Sequence, residues 1–306
     1  MEDLLNLEEL ISEADKLDAV QESRNNGELI NVSALYKLCP RQYYYSFCNS
    51  DTIRLSQYAA SRTLMTYTLG RAAETHVRKQ LFKSIGINRI FASWVVDKDC
   101  KDKHITLEYN KETKQWEYLS TRFGTDQDSV ETYREVTIID DYSKATGHPD
   151  IIYLDNNGKL SVGELKTISK DKFAELFSKK PEFVAPVEGH REQISPYLYK
   201  LPEHPAVIDT GLSVNRYGKI LYICKDHRTR NEKEKKYGYN PMYREFLVDL
   251  AHNEDAVYAM LEDSKTSIEH LHKKQIPPRT KCSSLKSKLA KDCPFAARCF
   301  SGDVHG

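Results

Sequence analysis

Apolar and polar residues recur along the chain with two different periods, and these periods predict its helices and strands. Residues 1–27, 64–82 and 243–271 repeat apolar residues every three or four positions, which is typical of amphipathic helices. Residues 90–134 and 151–165 contain short runs rich in β-branched and aromatic side chains, which favour strands. This order of elements predicts a mixed α/β core around a short central sheet.

One hairpin is predicted most sharply. Apolar runs at 151–154 and 160–165 flank an Asn-Asn-Gly turn, and Asn-Gly between two strand-forming runs strongly indicates a hairpin. Side chains alternate along a strand, so Glu164 and Lys166 share a face that Asp150 can meet across the hairpin. Two carboxylates and an ammonium can hold a divalent cation and activate water beside a phosphodiester. An exposed ion pair on a solvated hairpin is the alternative.

Polar residues on two predicted helices extend this set. His76 lies on the apolar stripe of helix 64–82, where it is either a buried core histidine or a ligand for a Mn²⁺-like ion. Gln193 and Tyr197 are spaced to share one helix face. There they can bracket a phosphate or orient Lys166, or they form an ordinary polar face.

Composition narrows the classes of protein. The chain has 306 residues, of which 40% are hydrophobic and 29% charged, with a formal net charge of zero. That length allows one large domain or two modest ones, and neutrality argues against a broadly basic nucleic-acid surface. No apolar stretch reaches the length of a membrane span, and the acidic N-terminus is unlike a signal peptide. We therefore expect a cytoplasmic protein with no membrane partner.

Seven cysteines, an odd number without a secretion signal, predict free thiols or metal ligands rather than disulfides. Cys282, Cys293 and Cys299 cluster near the C-terminus, and Cys39 is the best candidate for a fourth thiolate. Four thiolates suit a 4Fe–4S cluster or a structural Zn²⁺, and unliganded thiols are the alternative. The remaining cysteines, which we expect to be structural, are Cys48, Cys100 and Cys224.

Basic and aromatic side chains are interleaved in two segments, a pattern that can follow a phosphate backbone and stack bases. The first is Arg41 with the tyrosines after it. The second, residues 228–239, contains Lys233, Lys235 and Lys236. A solvated charged loop is the alternative for the second segment.

Together these motifs resemble the PD-(D/E)xK nuclease superfamily, and most closely its RecB-like branch with an iron–sulfur cluster, which includes CRISPR adaptation nucleases. The resemblance covers roughly residues 31–300. The matching segments follow the family's order: 70–76 with the metal-binding histidine, 147–150 with the metal-binding aspartate, 164–166 as E-x-K, 193–197 as Q-x3-Y, and Cys39 with the C-terminal cysteines. The family usually has two residues between its second and third cysteines, where this chain has ten and Ala290 takes the close-spaced position.

The resemblance implies a metal-dependent DNA exonuclease with a restriction-endonuclease-like core, a mixed sheet flanked by helices. The ligands it implies for Mg²⁺ or Mn²⁺ are His76, Asp150, Glu164 and the backbone carbonyl of Leu165. The other catalytic residues it implies are Lys166, Gln193 and Tyr197. The DNA contacts we expect are Arg41, Arg71, Lys233, Lys235 and Lys236.

The predicted organisation is an N-terminal amphipathic helix and linker, residues 1–30, followed by a nuclease domain, residues 31–306. This domain would contain a β-rich insertion at 90–134 and a cysteine clasp at 282–299, closed by a 4Fe–4S cluster with Zn²⁺ as the second choice. The expected substrate is DNA, as ends or single strands, and protein partners would come from recombination, phage DNA processing or CRISPR adaptation. If the chain is phage-encoded, its location would be the host cytoplasm. A non-cleaving DNA-binding or assembly subunit is the alternative function.

Overall fold

A computed structural model of the protein describes residues 29–48, 57–86, 89–95, 104–106, 108–110, 115–117, 133–176, 185–187, 189–224 and 242–301. The predicted N-terminal helix and the basic loop at 228–239 lie outside these ranges. The chain divides into two compact units, which we call the sheet unit (Tyr67–Ile138 and Gly147–Glu254) and the cysteine unit (Met1–Thr66, Ile139–Thr146 and Asp255–Gly306).

The strands in chain order are β1 (Ile30–Asn31), β2 (Ile90–Phe91), β3 (Ser93–Val95), β4 (His104–Thr106), β5 (Glu108–Asn110), β6 (Gln115–Glu117), β7 (Tyr133–Arg134), β8 (Ile138–Asp140), β9 (Ala145–Gly147), β10 (Ile151–Leu154), β11 (Leu160–Ile168), β12 (Val214–Cys224) and β13 (Tyr243–Asp249). The helices are α1 (Val32–Leu35), α2 (Pro40–Cys48), α3 (Gln57–Ile85), α4 (Lys170–Glu175), α5 (His190–Lys200), α6 (Pro205–Thr210), α7 (Glu254–His272), α8 (Lys288–Lys291) and α9 (Ala296–Phe300). Within the described part of the chain, no helix has the length and apolar composition needed to cross a membrane.

The sheet unit is built on a five-stranded sheet with the order β13-β12-β11-β10-β2. Strands β11 and β12 run parallel, whereas the other neighbouring pairs are antiparallel. Helices cover the sheet on both sides. The predicted α/β class, with a mixed central sheet flanked by helices, is therefore confirmed.

The predicted hairpin is formed by β10 and β11, which pair from Leu154 opposite Leu160. Gly158 in the turn has a φ of 73°, a conformation that glycine adopts without steric cost. The Asp155 carboxylate closes the turn by accepting hydrogen bonds from the backbone N–H groups of Asn157 and Lys159. Local sequence thus fixes the register of these two strands.

Two helices pack on opposite faces of the sheet. On one face Val77 of α3 packs with the buried residues Leu165 and Ile223. On the other face α5 lies so close to β12 that a Cβ at Gly218 would come within 2.7 Å of Ile194. Since neighbouring residues of a strand point to opposite faces, Glu164 lies on the α5 side when Leu165 lies on the α3 side.

The prediction of one long helix over residues 243–271 is wrong at its start. Residues 243–249 form strand β13, and α7 begins only at Glu254. Apolar residues at 246, 247 and 250 fit a helical stripe as well as a strand that buries one face. The segment is a strand because its backbone pairs with β12. The sequence of residues 243–249 alone does not indicate that β12 lies beside it.

The β-rich segment at 90–134 consists of short strands in its described residues. Strand β2 joins the central sheet, and the others form a small sheet in the order β4-β3-β7 and a pair, β5 with β6. The β-rich prediction therefore agrees with these residues, although β2 belongs to the core rather than to an insertion.

The cysteine unit combines most of a small sheet, in the order β1-β9-β8, with α7 and the short helices near the two ends of the described chain. The turn after β8 is attached to α7 because the Tyr142 hydroxyl donates to a Glu262 carboxylate oxygen at 2.8 Å. Tyr45 of α2 is fully buried, and its ring centroid is 5.8 Å from that of Phe295 in the C-terminal segment. Aromatic packing thus joins the early and late parts of this unit.

Candidate functional site

The hairpin brings together the three residues that the sequence selected. Ile151 pairs with Gly163, so Asp150, one residue earlier, lies beside Glu164 at the end of the hairpin. An Asp150 carboxylate oxygen accepts a hydrogen bond from the Leu165 backbone N–H at 2.6 Å. The predicted meeting of carboxylates across the hairpin therefore exists in the structure.

The Glu164 side chain is buried, and its two oxygens have different surroundings. Oε1 accepts hydrogen bonds from Lys166 Nζ and Gln193 Nε2, both at 2.6 Å. Oε2 is buried and has no hydrogen-bond partner. A buried carboxylate oxygen without a donor is unfavourable unless a cation or a proton occupies the space beside it.

Burial and mutual repulsion shift the protonation of this group. The pKa of Glu164 is raised by burial and then by the Asp150 charge. Burial also raises the pKa of Asp150, against the opposing effect of Lys166. Burial would lower the pKa of Lys166, but the charges of Glu164 and Asp150 outweigh it and raise that pKa. Lys166 is therefore a permanent cation in the site near neutral pH.

Helix α5 supplies the predicted pair Gln193 and Tyr197, and it continues through Pro196. Tyr197 is only 2% exposed, and its hydroxyl contacts the Gln193 side chain and the His148 backbone. Burial raises the pKa of Tyr197, followed by the nearby carboxylate charges. Gln193 thus contacts Glu164 directly, and Tyr197 contacts Gln193.

Helix α3 turns Glu74, rather than His76, toward the carboxylates. His76 is exposed, whereas Glu74 is partly buried. The pKa of Glu74 rises to about 7, first through burial and then through the Asp150 charge. Two positions along a helix correspond to a rotation of roughly 200°, so Glu74 and His76 point in nearly opposite directions. The structure therefore brings Glu74, and not His76, to the carboxylates.

The outward position of His76 has a geometric origin. The predicted stripe of α3 placed Leu69 and His76 inward, but Leu69 is 56% exposed. Gly70 is buried instead, and a Cβ there would lie 3.1 Å from Thr167 Oγ1. The inward face thus contains Gly70 and Glu74 together with Ala73, Val77 and Leu81, and Gly70 permits the close approach to the sheet.

Sequence reasoning missed Arg78 and Glu135. Arg78 Nη2 donates to Glu135 Oε1 at 2.8 Å, and its guanidinium lies 4.8 Å from the centroid of the Tyr133 ring. The Tyr133 hydroxyl donates to the Asp150 backbone carbonyl at 2.8 Å. Burial raises the pKa of Glu135 although Arg78 opposes the shift. The spacing of Glu74 and Arg78, which puts both on one helix face, was the available sequence indication.

The sheet unit thus gathers more negative than positive side chains. The carboxylates are Glu74, Glu135, Asp150 and Glu164, and the cations are Arg78 and Lys166. When all are ionised the site has an excess of two negative charges, the charge that one divalent cation neutralises. Among the described residues, no three His, Cys, Asp or Glu side chains converge as ligands of a single ion do. The buried Glu164 Oε2 and the oxygen-rich set nevertheless fit a hard divalent cation.

The four selected cysteines line one pocket in the cysteine unit. Cys39, Cys282, Cys293 and Cys299 all contribute to its wall, and each is a free thiol. The space among the lining side chains is about 330 Å³, including the part open to solvent. Ala290, at the family's close-spaced cysteine position, lies in the same wall. The longer loop before it therefore still delivers Cys282 to the pocket.

The pocket does not favour thiolates without a metal. Burial raises the pKa of the Cys39 thiol, and the charges of Cys282 and Cys293 add to that shift. Neighbouring thiolates repel each other, and binding to a metal removes that cost. By their chemistry these thiols suit an iron–sulfur cluster, whereas a zinc ion would require their sulfurs to converge more closely than they do here.

Arg41, which the sequence predicted as a DNA contact, lies in the wall of this pocket. Its Nε donates to the Pro277 carbonyl at 2.7 Å, and its Nη1 donates to the Cys299 carbonyl at 2.9 Å. Both contacts hold the guanidinium against the C-terminal segment.

The other selected residues have varied surroundings. Arg71 is exposed on α3, close enough for its charge to act on Glu135. Cys48 is exposed, and Cys224 is buried on β12 as expected for a structural cysteine. The predicted residues that lie outside the described ranges are Cys100, Lys233, Lys235 and Lys236.

No protein-family model and no curated protein matches the chain. A crystal structure of SSO0001 aligns with 96% of this chain and 96% of its own, at 15% sequence identity and a TM-score of 0.40. A similarity of this size carries no argument about activity, so the function must be inferred from the site.

Proposed function

We propose that the chain is a divalent-metal-dependent deoxyribonuclease, an exonuclease that hydrolyses phosphodiester bonds of DNA ends or single strands. The observation that carries the proposal is the state of Glu164. One of its oxygens is fixed by Lys166 and Gln193, and the other is buried beside Asp150 without a donor. A structural ion pair has no need of this second, unsatisfied oxygen.

Mg²⁺ or Mn²⁺ would be held by Asp150 and Glu164, with the Leu165 carbonyl that the resemblance implies and with Glu74 in place of His76. When bound, such an ion lowers the pKa of a water molecule and screens the charge of the attacked phosphate. The excess of negative side chains supports this assignment, since a divalent cation removes their mutual repulsion.

The remaining residues position groups around the reacting phosphate. Lys166 keeps its proton, so its ammonium can orient the attacking water and offset the negative charge that develops on the phosphate. Gln193 holds Glu164 Oε1 in place, so that Oε2, which has no donor, would be available to the metal ion. Tyr197 is buried behind Gln193 and restricts its rotation.

The cysteine pocket would hold a 4Fe–4S cluster as a structural clasp, with Zn²⁺ as the second choice. Each thiolate of such a cluster binds a different iron, so the four sulfurs need not converge on one point. The pocket joins residues from both ends of the described chain, which is where a clasp is most useful.

The cellular setting follows from the same chemistry. The thiols of Cys39, Cys48, Cys282, Cys293 and Cys299 are free, which supports a reducing cytoplasm, of the cell itself or of a phage host. Recombination, phage DNA processing and CRISPR adaptation remain the settings that the resemblance implies. Protein partners would come from the same pathways.

End-labelled linear duplex, single-stranded and closed circular DNA, each incubated with Mn²⁺ or Mg²⁺, test the proposal directly. We expect mononucleotides or short products from linear DNA, none from circles, and none when a chelator is added. Glu164→Gln should abolish cleavage, whereas Glu175→Gln, an exposed carboxylate on α4, serves as the matched control.

Calorimetric titration of Mn²⁺ separates the nuclease from the non-cleaving subunit. Binding that is lost in Asp150→Asn together with cleavage supports the nuclease. DNA binding without cleavage or Mn²⁺ binding overturns it and leaves the assembly or DNA-binding subunit.

A further inference from the structure

The guanidinium of Arg41 reaches a cysteine sulfur as well as two carbonyls. Arg41 lies two positions after Cys39, at the start of α2, and its Nη1 is 3.5 Å from the Cys299 sulfur. The same nitrogen donates to the Cys299 carbonyl at 2.9 Å, and Nε donates to Pro277 at 2.7 Å. One rigid fork of donors, carried by the residue two positions after Cys39, thus holds both the carbonyl and the sulfur of Cys299.

A second arginine approaches the same residue. Arg279 Nη1 lies 3.4 Å from the Cys299 carbonyl, and its guanidinium is 4.1 Å from the centroid of the Phe300 ring. Both arginines line the pocket with the four cysteines. Two cations therefore lie within the wall that would surround the metal cluster.

A simpler role for these arginines accounts for part of the geometry. Cys299 is near the end of α9, where helix carbonyls lack partners within the helix, and a cation satisfies them well. Capping explains the bonds to the Cys299 carbonyl. It does not explain why Arg41 Nη1 also lies against the sulfur, since a side chain that only caps can be oriented away from it.

We infer that Arg41 is a positioning residue that holds the Cys299 thiolate and donates an N–H···S hydrogen bond to it in a 4Fe–4S cluster. This inference rests on the proposed cluster and adds that the guanidinium sets the cluster's electronic properties. Hydrogen bonds to cluster sulfurs and nearby charge are among the main determinants of the reduction potential.

The direction of the effect follows from charge. The oxidised cluster core has two positive charges and its four thiolates bring four negative charges, so the whole cluster is a dianion. Taking up one electron from an external reductant makes it a trianion, and no bond forms or breaks. A fixed cation at hydrogen-bond distance stabilises the trianion more than the dianion. Arg41 therefore raises the reduction potential and makes the cluster easier to reduce.

Redox titration of anaerobically prepared protein, followed by its visible absorption, tests this role. The variants are Arg41→Gln, which removes the charge, and Arg41→Lys, which keeps the charge without the fork. Lys291→Gln is the matched control, because Lys291 is an exposed cation two positions before Cys293. Iron and sulfide per chain are measured for every sample, so that potential and cluster content are read separately.

Arg41→Gln should make reduction at least tenfold less favourable, which for a one-electron couple is a midpoint about 59 mV more negative. Arg41→Lys should lie between it and the wild type, and Lys291→Gln should match the wild type. If Arg41→Gln does not assemble a cluster, the Arg41→Lys midpoint decides. An unchanged midpoint in the Arg41 variants, or an equal shift in Lys291→Gln, overturns the inference and leaves the cluster in place. Wild-type protein that contains zinc or no iron after reconstitution overturns the cluster itself, and with it the inference.

Discussion

The carboxylate site of the sheet unit and the cysteine pocket differ in how their residues are separated along the chain. Asp150 and Leu165, joined by a hydrogen bond, are 15 positions apart, whereas Arg41 and Cys299 are 258 positions apart. The first site begins with a hairpin that its own turn residues specify. The second exists only when distant segments have come together, so it is expected to stabilise the fold that creates it.

The two sites nevertheless solve a similar electrostatic problem. One collects four carboxylates and the other four thiols, and like charges that are close together and partly buried repel strongly. In the sheet unit Lys166 and Arg78 offset part of the charge, and in the cysteine unit Arg41 contacts the Cys299 sulfur while Arg279 lines the pocket. The remaining negative charge is what a bound metal would neutralise. On the function proposed above, the first site would serve chemistry and the second would close the fold.

Substitutions at the carboxylate site should abolish DNA cleavage without affecting the cysteine clasp, and this should be the largest of the predicted effects. Asp150→Ala, Glu164→Ala and Lys166→Ala should each reduce the cleavage rate by on the order of 10³-fold or more, with effects that do not add. Cleavage of end-labelled DNA measures the loss, and the iron content should stay at the wild-type level. Cleavage at the wild-type rate by Lys166→Ala would remove that residue from the catalytic set.

Cysteine substitutions should produce the opposite pattern. Cys293→Ser or Cys299→Ser should bleach the brown protein and reduce the free energy of unfolding by about 3–5 kcal/mol, because the clasp closes a very long loop. Anaerobic denaturant titration measures this loss, and Cys48→Ser is the exposed control. Cys282→Ser should behave like Cys293→Ser. Full iron content in Cys282→Ser would exclude it as a ligand.

The exchange of His76 for Glu74 can be tested within one helix. Glu74→Gln should weaken Mn²⁺ binding by roughly 10- to 100-fold, the usual cost of losing a group that supports a metal site. His76→Gln should leave binding unchanged because His76 is exposed. Calorimetric titration of both variants with Mn²⁺ measures this difference. Weaker binding in His76→Gln and unchanged binding in Glu74→Gln would support His76 as the ligand.

Contact with DNA should depend on the basic loop at 228–239. Charge reversal at Lys233, Lys235 and Lys236 should weaken binding about tenfold and flatten the dependence of affinity on salt, since fewer counterions are released. Fluorescence anisotropy at several salt concentrations measures both quantities. If affinity and slope match the wild type, the loop is an ordinary charged surface.

The smallest predicted effect is a pH dependence of stability in metal-free protein. The pKa of Glu74 is raised to about 7 from the ordinary 4.5, so the folded protein binds this proton more tightly. Its contribution is complete below pH 4.5 and is lost as the pH rises to about 7. Because the side chain is partly solvated, we expect about 1 kcal/mol. The difference in free energy of unfolding between wild type and Glu74→Gln should change between pH 4.5 and about 7. A difference that does not depend on pH would contradict the raised pKa of Glu74.

The accuracy of the sequence predictions depended on the distance over which each feature is determined. The hairpin, its turn and the facing of Asp150, Glu164 and Lys166 are local, and the structure contains them all. Gln193 and Tyr197 were selected by helical spacing, and the structure brings them to Glu164. Strand β13 was mistaken for a helix because an apolar pattern cannot show which backbone lies beside it.

The sequence by itself determined the hairpin and the set of chemically suitable side chains, since strand alternation and turn chemistry act within a few residues. Only the tertiary structure decided which face of α3 points to the site, with Gly70 close to the sheet, Glu74 inward and His76 outward. It also decided that Arg41 lies against Cys299 rather than on an open surface. The orientation of α3 and the position of Arg41 depend on contacts between segments that are far apart in sequence, and a local sequence pattern does not show which distant segment makes the contact.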